Sequence, residues 1–187
     1  TVDPSAHVRA WWALDDGRSL VFNDVRRFGR VAVVPRGDHS SLATLAALGP
    51  EPFDPGFTPT VLRRGINATT RAIKTALLSQ RIVAGLGNIY ADEALWRAGI
   101  DPRRRGGLGA RRAEALHGAI VDVLGDAIGR GGTTLRDYRT LDGATGNYQQ
   151  RLEVYGRNGR PCVRCGTALR SITLDARTTT WCVRCQR

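Results

Sequence analysis

The chain contains no methionine and only one lysine, Lys74, among its 187 residues. Because methionine is absent altogether, we expect either that an initiator was removed before Thr1 or that these residues are a piece of a longer protein. No apolar run approaches the ~20 residues that a membrane-spanning helix needs, and no signal peptide is visible. We therefore expect no membrane partner and a cytosolic location.

Acidic residues are also scarce relative to basic ones. The sequence has 28 Lys and Arg against 17 Asp and Glu, a formal charge of +11 at pH 7. Such an excess is the electrostatic footprint of a protein that binds a polyanion, although a merely soluble basic protein can carry it too. The charge therefore favours nucleic acid as the partner.

The first part of the chain is typical of β-structure. The segments VRAWWAL and SLVFND flank the turn signal Asp15-Asp16-Gly17, and RVAVV at 30–34 predicts a third strand. Three strands leave exposed edges and half a core, so a partner sheet is expected to be missing. The proline-rich connector LGPEPFDPGFTP at 48–59 follows them.

A helical pattern follows from about residue 60, and it predicts helices over 60–67, 70–81, 88–98 and 110–129. The last of these carries a stripe of apolar residues at three- and four-residue spacing. Its members are Ala113, Leu116, Ile120, Leu124 and Ile128. The arginine triplet at 103–105 is interpreted as a solvated turn.

Two glycines, Gly85 and Gly87, interrupt good helix formers just before Asn88. Asn88 is a favoured N-cap residue, and Asp92 and Glu93 lie early in the next helix, where the dipole favours acids. The break is either a corner that only packs a core or a helix start whose free N–H groups bind a phosphate.

All four cysteines lie after residue 160, as two Cys-x2-Cys pairs, Cys162/Cys165 and Cys182/Cys185. This spacing predicts one tetrahedral zinc ion in preference to a redox pair or two disulfides. Four thiolates fill the coordination sphere, so the zinc is expected to be structural. The residues between the pairs predict a β-hairpin with Asp175-Ala176-Arg177 at its tip, suited to a DNA groove or, as an alternative, to a protein-binding zinc ribbon.

Four motifs together resemble the Fpg/Nei family of DNA glycosylases, in particular the formamidopyrimidine-DNA glycosylases. They are DVRRFG at 24–29, QRIVAGLGNIYADEALWRAGI at 80–100, RGGTTLRDY at 130–138, and VYGRNGRPCVRCG with TTTWCVRCQ between 154 and 186. The resemblance implies an α+β fold with three parts. These are the last strands of a β-sandwich and a linker (1–56), a helix–two-turn–helix DNA-binding domain with a lesion-capping loop at 131–150 (57–154), and a four-cysteine zinc finger (155–187).

The resemblance also implies roles for individual residues on double-stranded damaged DNA. Asn88 matches a phosphate contact, Lys74 and Tyr155 match positions near the DNA backbone, and Arg177 matches an arginine that enters the minor groove. Arg26 and Phe28 match residues that fill the gap left by a flipped base. The loop that closes over an everted 8-oxoguanine corresponds to Thr133, Thr134, Leu135, Arg136 and Tyr138.

The chain departs from the family pattern at its beginning. A whole family protein excises oxidised purines and nicks the strand by β,δ-elimination, using the amine of an N-terminal Pro-Glu start and an assisting lysine. Neither is present here, so we expect no catalytic residue in this chain and an inactive monomer that still binds DNA. Lys74 is the one lysine that could form an imine, but we expect it to stay charged at a phosphate. The alternatives are a naturally truncated, non-catalytic relative that binds damaged or abasic DNA, and a zinc-ribbon scaffold.

Overall fold

The computed structural model describes residues 6–134 and 144–187. The chain divides into two compact units, Thr1–Leu42 and Ala43–Arg187. In the first unit, strands β1 (Val8–Ala13) and β2 (Ser19–Asn23) pair in an antiparallel sheet. Gly17 takes a φ of 81° in the connecting turn, a left-handed conformation that glycine adopts without a steric penalty.

The expected third strand at 30–34 is absent, and that prediction is wrong. Within the described part of the first unit, no backbone pairs with these residues, and Val33 is 100% exposed. A β-propensity pattern without a hydrogen-bonded neighbour does not make a strand. The preceding loop is held instead by the Asp24 carboxylate, which accepts the backbone N–H groups of Arg26, Arg27 and Gly29.

The second unit holds the helices and a second two-stranded sheet. Its elements are α1 (Ala43–Ala46), α2 (Pro59–Asn67), α3 (Ile73–Leu78), α4 (Asn88–Arg97), α5 (Ala110–Gly129), a 3-10 turn (Tyr148–Arg151), β3 (Arg170–Leu174) and β4 (Arg177–Trp181). Helix α2 begins where Thr58 accepts the Val61 N–H, with Pro59 at the first helical position. Within residues 6–134 and 144–187, no helix has the length and apolar content that crossing a bilayer requires.

The proline-rich connector belongs to the second unit rather than marking its edge. The Gly49 N–H donates to the Gln80 carbonyl, and the Pro50 carbonyl accepts from the Ala84 N–H. Phe57 is buried at the end of the connector. The compact units divide between 42 and 43, while the expected three-part division into 1–56, 57–154 and 155–187 stays a prediction.

Helix α3 is shorter than the predicted 70–81. At its start Ala72 has an extended ψ of 141° and pairs with Arg105 across an isolated bridge. At its end the Ser79 hydroxyl donates to the Ala76 carbonyl and Gln80 takes a left-handed φ of 61°. The pairing with Arg105 stops the helix at its start, and the local Ser79 hydrogen bond competes with the helical ones at its end.

The core of the second unit lies where α5 packs against α2 and α4. Leu116 and Ile120 have no exposed surface, whereas Ile128, the last member of the predicted stripe, is 66% exposed. Ala127 is buried at that end of the helix instead. The periodicity thus locates the buried face of α5 but fails at its last turn.

Truncation of Leu116 and of Ile128 should therefore have very different effects. Leu116→Ala should lower the free energy of unfolding by roughly 2–5 kcal/mol, because it removes buried methyl groups and leaves a cavity. Ile128→Ala, the matched control on the same helix, should change it by less than about 0.5 kcal/mol. Urea denaturation of both variants checks this, and equal losses would contradict the assigned face.

Candidate functional site

The four cysteine side chains converge on one point. All four Sγ atoms lie within 4.8 Å of one another, with Cys165 and Cys182 at 3.5 Å and Cys162 and Cys185 at 4.0 Å. Four ligands at ~2.3 Å from a tetrahedral zinc ion are ~3.8 Å apart, so these thiols fit one zinc ion. Among the described residues no other group of His, Cys, Asp or Glu side chains is clustered in this way.

The zinc module, residues 159–187, is attached to the end of α4. The Gln186 amide donates to the Ile100 carbonyl at 2.8 Å, and the Arg187 N–H donates to the Gly99 carbonyl at 3.1 Å. The Arg164 guanidinium donates to the Trp96 carbonyl at 3.3 Å and stacks over the Trp96 ring, 4.2 Å from its centroid. The metal-bound loops therefore pack on the helix rather than extending into solvent.

Glu93 of α4 is fully buried and holds the chain that leads into the zinc module. Its carboxylate accepts the backbone N–H groups of Glu153, Val154 and Tyr155 at 2.8 to 3.1 Å. Burial raises the pKa of Glu93, an effect that these hydrogen bonds oppose. Glu93 lies in the second turn of the helix and not in the first. Its carboxylate therefore binds the backbone of residues 153–155 instead of interacting with the helix dipole as expected.

A buried ion pair joins α3, α4 and β4. The Lys74 Nζ lies 2.7 Å from Asp92 Oδ1, and neither side chain has exposed surface. Nζ also donates to the Thr178 carbonyl and to the Thr179 hydroxyl, both at 2.9 Å, while the Thr180 N–H donates to the Asp92 carboxylate at 3.1 Å. Burial raises the pKa of Asp92 to about 6 against the opposing charge of Lys74, and burial lowers the pKa of Lys74.

This burial conflicts with the phosphate contact expected of Lys74. An ammonium group has three donors, and here Asp92, Thr178 and Thr179 occupy them. The amine therefore lies beneath the strand that carries Arg177, not on the surface, and it is not placed to meet an abasic aldehyde. The sequence shows this only indirectly, because the partners are far from Lys74 along the chain.

Asn88 and Arg177 are brought together by the backbone of Thr178. The Asn88 amide donates to the Thr178 carbonyl at 3.3 Å, the same carbonyl that accepts from Lys74, and Arg177 precedes Thr178 as an exposed residue. Asn88 is the first helical residue and Gly87, not Asn88, is the N-cap. Since glycine has no side chain, the N–H groups of the first turn receive no side-chain cap.

The turn of the hairpin presents Arg177 at its tip. Asp175 and Ala176 take left-handed φ values of 44° and 59°, as in the tight two-residue turns that match the twist of paired strands. This agrees with the sequence prediction of a tip at 175–177. Tyr155 is half-buried, and its backbone is held by Glu93 as described above.

The described ends of the expected lesion loop at 131–150 are joined to each other. The Tyr148 N–H donates to the Gly132 carbonyl at 3.0 Å, and the Gly146 N–H donates to the Thr134 hydroxyl at 2.9 Å. The Thr133 hydroxyl lies 3.0 Å from the Tyr90 hydroxyl of α4. The other expected loop residues, Leu135, Arg136 and Tyr138, lie outside the described residues.

Arg26 and Phe28 belong to the first unit and lie on the loop held by Asp24. The Arg26 guanidinium lies 4.9 Å from the centre of the Phe28 ring, and Phe28 is 76% exposed. An exposed aromatic ring on a loop braced by three hydrogen bonds has the form expected of a side chain that inserts into a base stack.

Comparison with known proteins identifies the class of protein to which this arrangement belongs. Residues 48–139 match the family model described as the formamidopyrimidine-DNA glycosylase H2TH domain. Residues 159–187 match the model described as a zinc finger found in FPG and IleRS. The helix pair around Asn88 and the four-cysteine module are therefore family features, as the sequence indicated.

Similar proteins cover nearly all of the chain. It is 46% identical over 183 residues to the formamidopyrimidine-DNA glycosylase of Stenotrophomonas maltophilia (strain R551-3), covering 97% of this chain and 67% of that protein. The corresponding protein of Syntrophotalea carbinolica is 48% identical over 185 residues, with coverages of 98% and 68%. The chain thus spans about two thirds of the length of these relatives.

Solved structures give the same result. The MutM (Fpg) protein of Thermus thermophilus superimposes with a TM-score of 0.92 at 44% identity, covering 98% of this chain and 70% of that one. A complex of Lactococcus lactis Fpg with DNA containing an abasic site superimposes with a TM-score of 0.84 at 36% identity, covering 100% of this chain and 68% of that one. The chain belongs to the formamidopyrimidine-DNA glycosylase family. The predicted family, the α+β fold class and the structural zinc ion are thereby confirmed.

Breaking the buried ion pair should destabilise the second unit strongly. Lys74→Met leaves Asp92 buried without its partner and should lower the free energy of unfolding by roughly 3–5 kcal/mol. Replacing both residues, as Lys74→Met with Asp92→Leu, should recover most of that loss, because no buried charge remains. Chemical denaturation of the two variants measures the difference.

The matched control is the solvent-accessible pair formed by Asp126 of α5 and Arg130, the C-cap residue directly after that helix, with Nε and Oδ1 2.7 Å apart. Arg130→Met should cost less than about 1 kcal/mol, because water screens an exposed pair. If Lys74→Met lowers the free energy of unfolding by no more than Arg130→Met does, the buried pair does not hold the elements together.

Removal of zinc should unfold the hairpin and its loops, because the thiolates contribute folding energy only with the metal bound. Trp181, which precedes Cys182, and Trp96, which packs against Cys162 and Cys182, are both buried, so tryptophan fluorescence should shift to longer wavelength when a chelator removes the ion. Cys162→Ser should give the same spectrum without chelator. Metal analysis should first confirm that the zinc is lost. If the fluorescence spectrum is then unchanged, the module folds without zinc.

Proposed function

We propose that these residues are the DNA-binding part of a base-excision-repair glycosylase and AP lyase for oxidised purines such as 8-oxoguanine and formamidopyrimidine. The protein acts as a monomer on double-stranded damaged DNA in the bacterial cytosol, at the nucleoid. The observation that carries this proposal is the hydrogen bond from the Asn88 amide to the carbonyl of Thr178, the residue that follows the exposed Arg177.

The chemistry at this position suits a phosphodiester backbone. The first turn of α4 has N–H groups without a side-chain cap, and a helix N-terminus with such groups favours an anion. Asn88 adds an amide beside them, and Arg177 adds an exposed guanidinium at the tip of a narrow hairpin. A duplex that meets the helix start with a phosphate can therefore meet Arg177 with a groove.

The relatives support DNA of this kind as the partner. Structures of Lactococcus lactis Fpg that superimpose on this chain include complexes with DNA containing Fapy-dG and with DNA containing an abasic site. Their similarity extends over the whole of this chain at 36% identity. We propose the DNA contacts that the family resemblance implies. Arg26 and Phe28 fill the gap left by a flipped base, Asn88 and Tyr155 contact the DNA backbone, and Arg177 enters the minor groove.

Binding and cleavage should separate in a polypeptide of these 187 residues. The resemblance assigns catalysis to a Pro-Glu start and an assisting lysine, and the sequence contains neither at a matching position. Lys74 cannot replace the missing amine, since its Nζ is buried against Asp92. We propose that this polypeptide binds lesion-containing DNA without excising the base or nicking the strand.

Arg177→Ala should weaken binding to a duplex that contains an abasic-site analogue. Loss of one phosphate-neutralising guanidinium should lower the slope of log K against log salt by about one and weaken binding about tenfold. Fluorescence anisotropy between about 50 and 200 mM salt measures both quantities. Arg111→Ala is the control, because Arg111 is also exposed but lies on α5 in a depression that includes Glu114 and Asp122.

Three results would count against the proposal. An unchanged slope in Arg177→Ala removes this residue from the interface. If the affinity of the parent chain for the duplex does not change with salt concentration, DNA is rejected as the partner and the zinc-ribbon scaffold is favoured. A covalent adduct with abasic DNA after borohydride treatment, lost in Lys74→Ala, would show that Lys74 supplies a catalytic amine after all.

A further inference from the structure

We propose that Arg71 and Arg105, which line a basic cleft beside Arg177, bind a second phosphodiester group of the same duplex, outside the contacts made by Asn88 and Arg177. This inference rests on the proposed function, and it lengthens the stretch of DNA that the protein covers. The chemical class of the ligand is a nucleic-acid phosphate, held by guanidinium groups.

The cleft lies between the start of α3, the segment that precedes α5 and the tip of the hairpin. Its volume is about 500 Å³. The three arginine residues that line it are all exposed, and Thr70, Thr75 and Ser79 also belong to its lining. Arg177 belongs both to this cleft and to the proposed DNA interface, so the two surfaces are continuous.

The backbone fixes two of the three arginines relative to each other. Ala72 pairs with Arg105 in an antiparallel bridge, and the Ile73 N–H donates to the Arg104 carbonyl at 2.7 Å. Arg71 and Arg105 therefore emerge from two neighbouring, hydrogen-bonded segments. Gly106 takes a φ of 51° and turns the chain away directly after the bridge.

The third side of the cleft is fixed through the buried ion pair. Lys74 follows the bridge at the start of α3, and its ammonium donates to the Thr178 carbonyl, next to Arg177. The hairpin tip is thus attached to the segment that carries Arg71. A site assembled in this way requires little ordering when a ligand arrives.

The charges of the cleft are available for a ligand. Among the described residues no carboxylate forms an ion pair with Arg71, Arg105 or Arg177. Arg103 contrasts with them, because it is paired with Asp101 at 2.6 Å and stacks over Trp181. Asp175 is the one acid in the lining, so the cleft remains positive overall.

A phosphodiester is the anion that this arrangement fits. Guanidinium groups recognise phosphate oxygens with paired hydrogen bonds. The cleft opens beside the hairpin tip that carries Arg177, and a duplex has a phosphate every few ångström along its axis. A backbone that reaches Arg177 therefore has further phosphates within reach of Arg71 and Arg105.

The test compares the parent chain with the double variant Arg71→Gln/Arg105→Gln on duplexes of increasing length. Each duplex carries the same abasic-site analogue, and one arm at a time is lengthened by one base pair, about 3.4 Å per step. The parent should gain about tenfold in affinity when one arm becomes long enough to reach the cleft. The double variant should lack this gain. On the longest duplex its slope of log K against log salt should be smaller than that of the parent by about two.

The matched control is Arg111→Gln, which removes one exposed guanidinium elsewhere and should keep the length-dependent gain. On the shortest duplex the parent and the double variant should bind equally, because the Asn88 and Arg177 contacts are intact. If the double variant keeps the gain on long duplexes, the second phosphate contact is refuted while the proposed function stands. If the parent binds no duplex in a salt-dependent way, the proposed function fails and this inference fails with it.

Discussion

The ion pair between Lys74 and Asp92 is the interaction on which the rest of the second unit depends. Moving two charges out of water costs several kcal/mol, and the pair is stable only when further hydrogen bonds complete both groups. Three consecutive residues of β4, Thr178 to Thr180, supply those bonds. The hairpin can therefore dock on α3 and α4 in one register, since a shift by one residue would leave a buried charge unsatisfied. The position of Arg177 relative to Asn88 follows from this register.

The zinc ion contributes to the same arrangement without any chemistry of its own. Four thiolates leave no open coordination position, so the metal can only fix the loops that carry β3 and β4. Gln186 and Arg164 then attach those loops to the end of α4, while Glu93 holds the approaching chain at residues 153–155. Helix α4 is thus the common support: its first turn carries N–H groups without a side-chain cap, its second turn carries the buried acids, and its end contacts the zinc module.

The sequence predicted what depends on local pattern and short spacing. Three of the four helices, the hairpin tip at 175–177 and the zinc ligands followed from periodicity, turn chemistry and Cys-x2-Cys spacing. The predictions from the sequence failed where the structure of a segment depends on residues far away along the chain. The strand expected at 30–34 has no hydrogen-bonded neighbour among the described residues, and α3 is shortened by the pairing of Ala72 with Arg105. The family resemblance placed Lys74 near the DNA backbone, whereas the structure buries its amine against Asp92. The adjacent acids Asp92 and Glu93 inside an apolar helix were the available sign that a buried cation was needed.

The burial of Lys74 has a consequence for how the protein holds a polyanion. Because it is the sole lysine of the sequence, every basic side chain left at the surface, apart from three histidines, is a guanidinium. Guanidinium groups stay charged far into the alkaline range, so this positive surface does not weaken where lysine-based surfaces lose charge. It is likewise insensitive to acetylation, which neutralises amines and leaves arginine untouched.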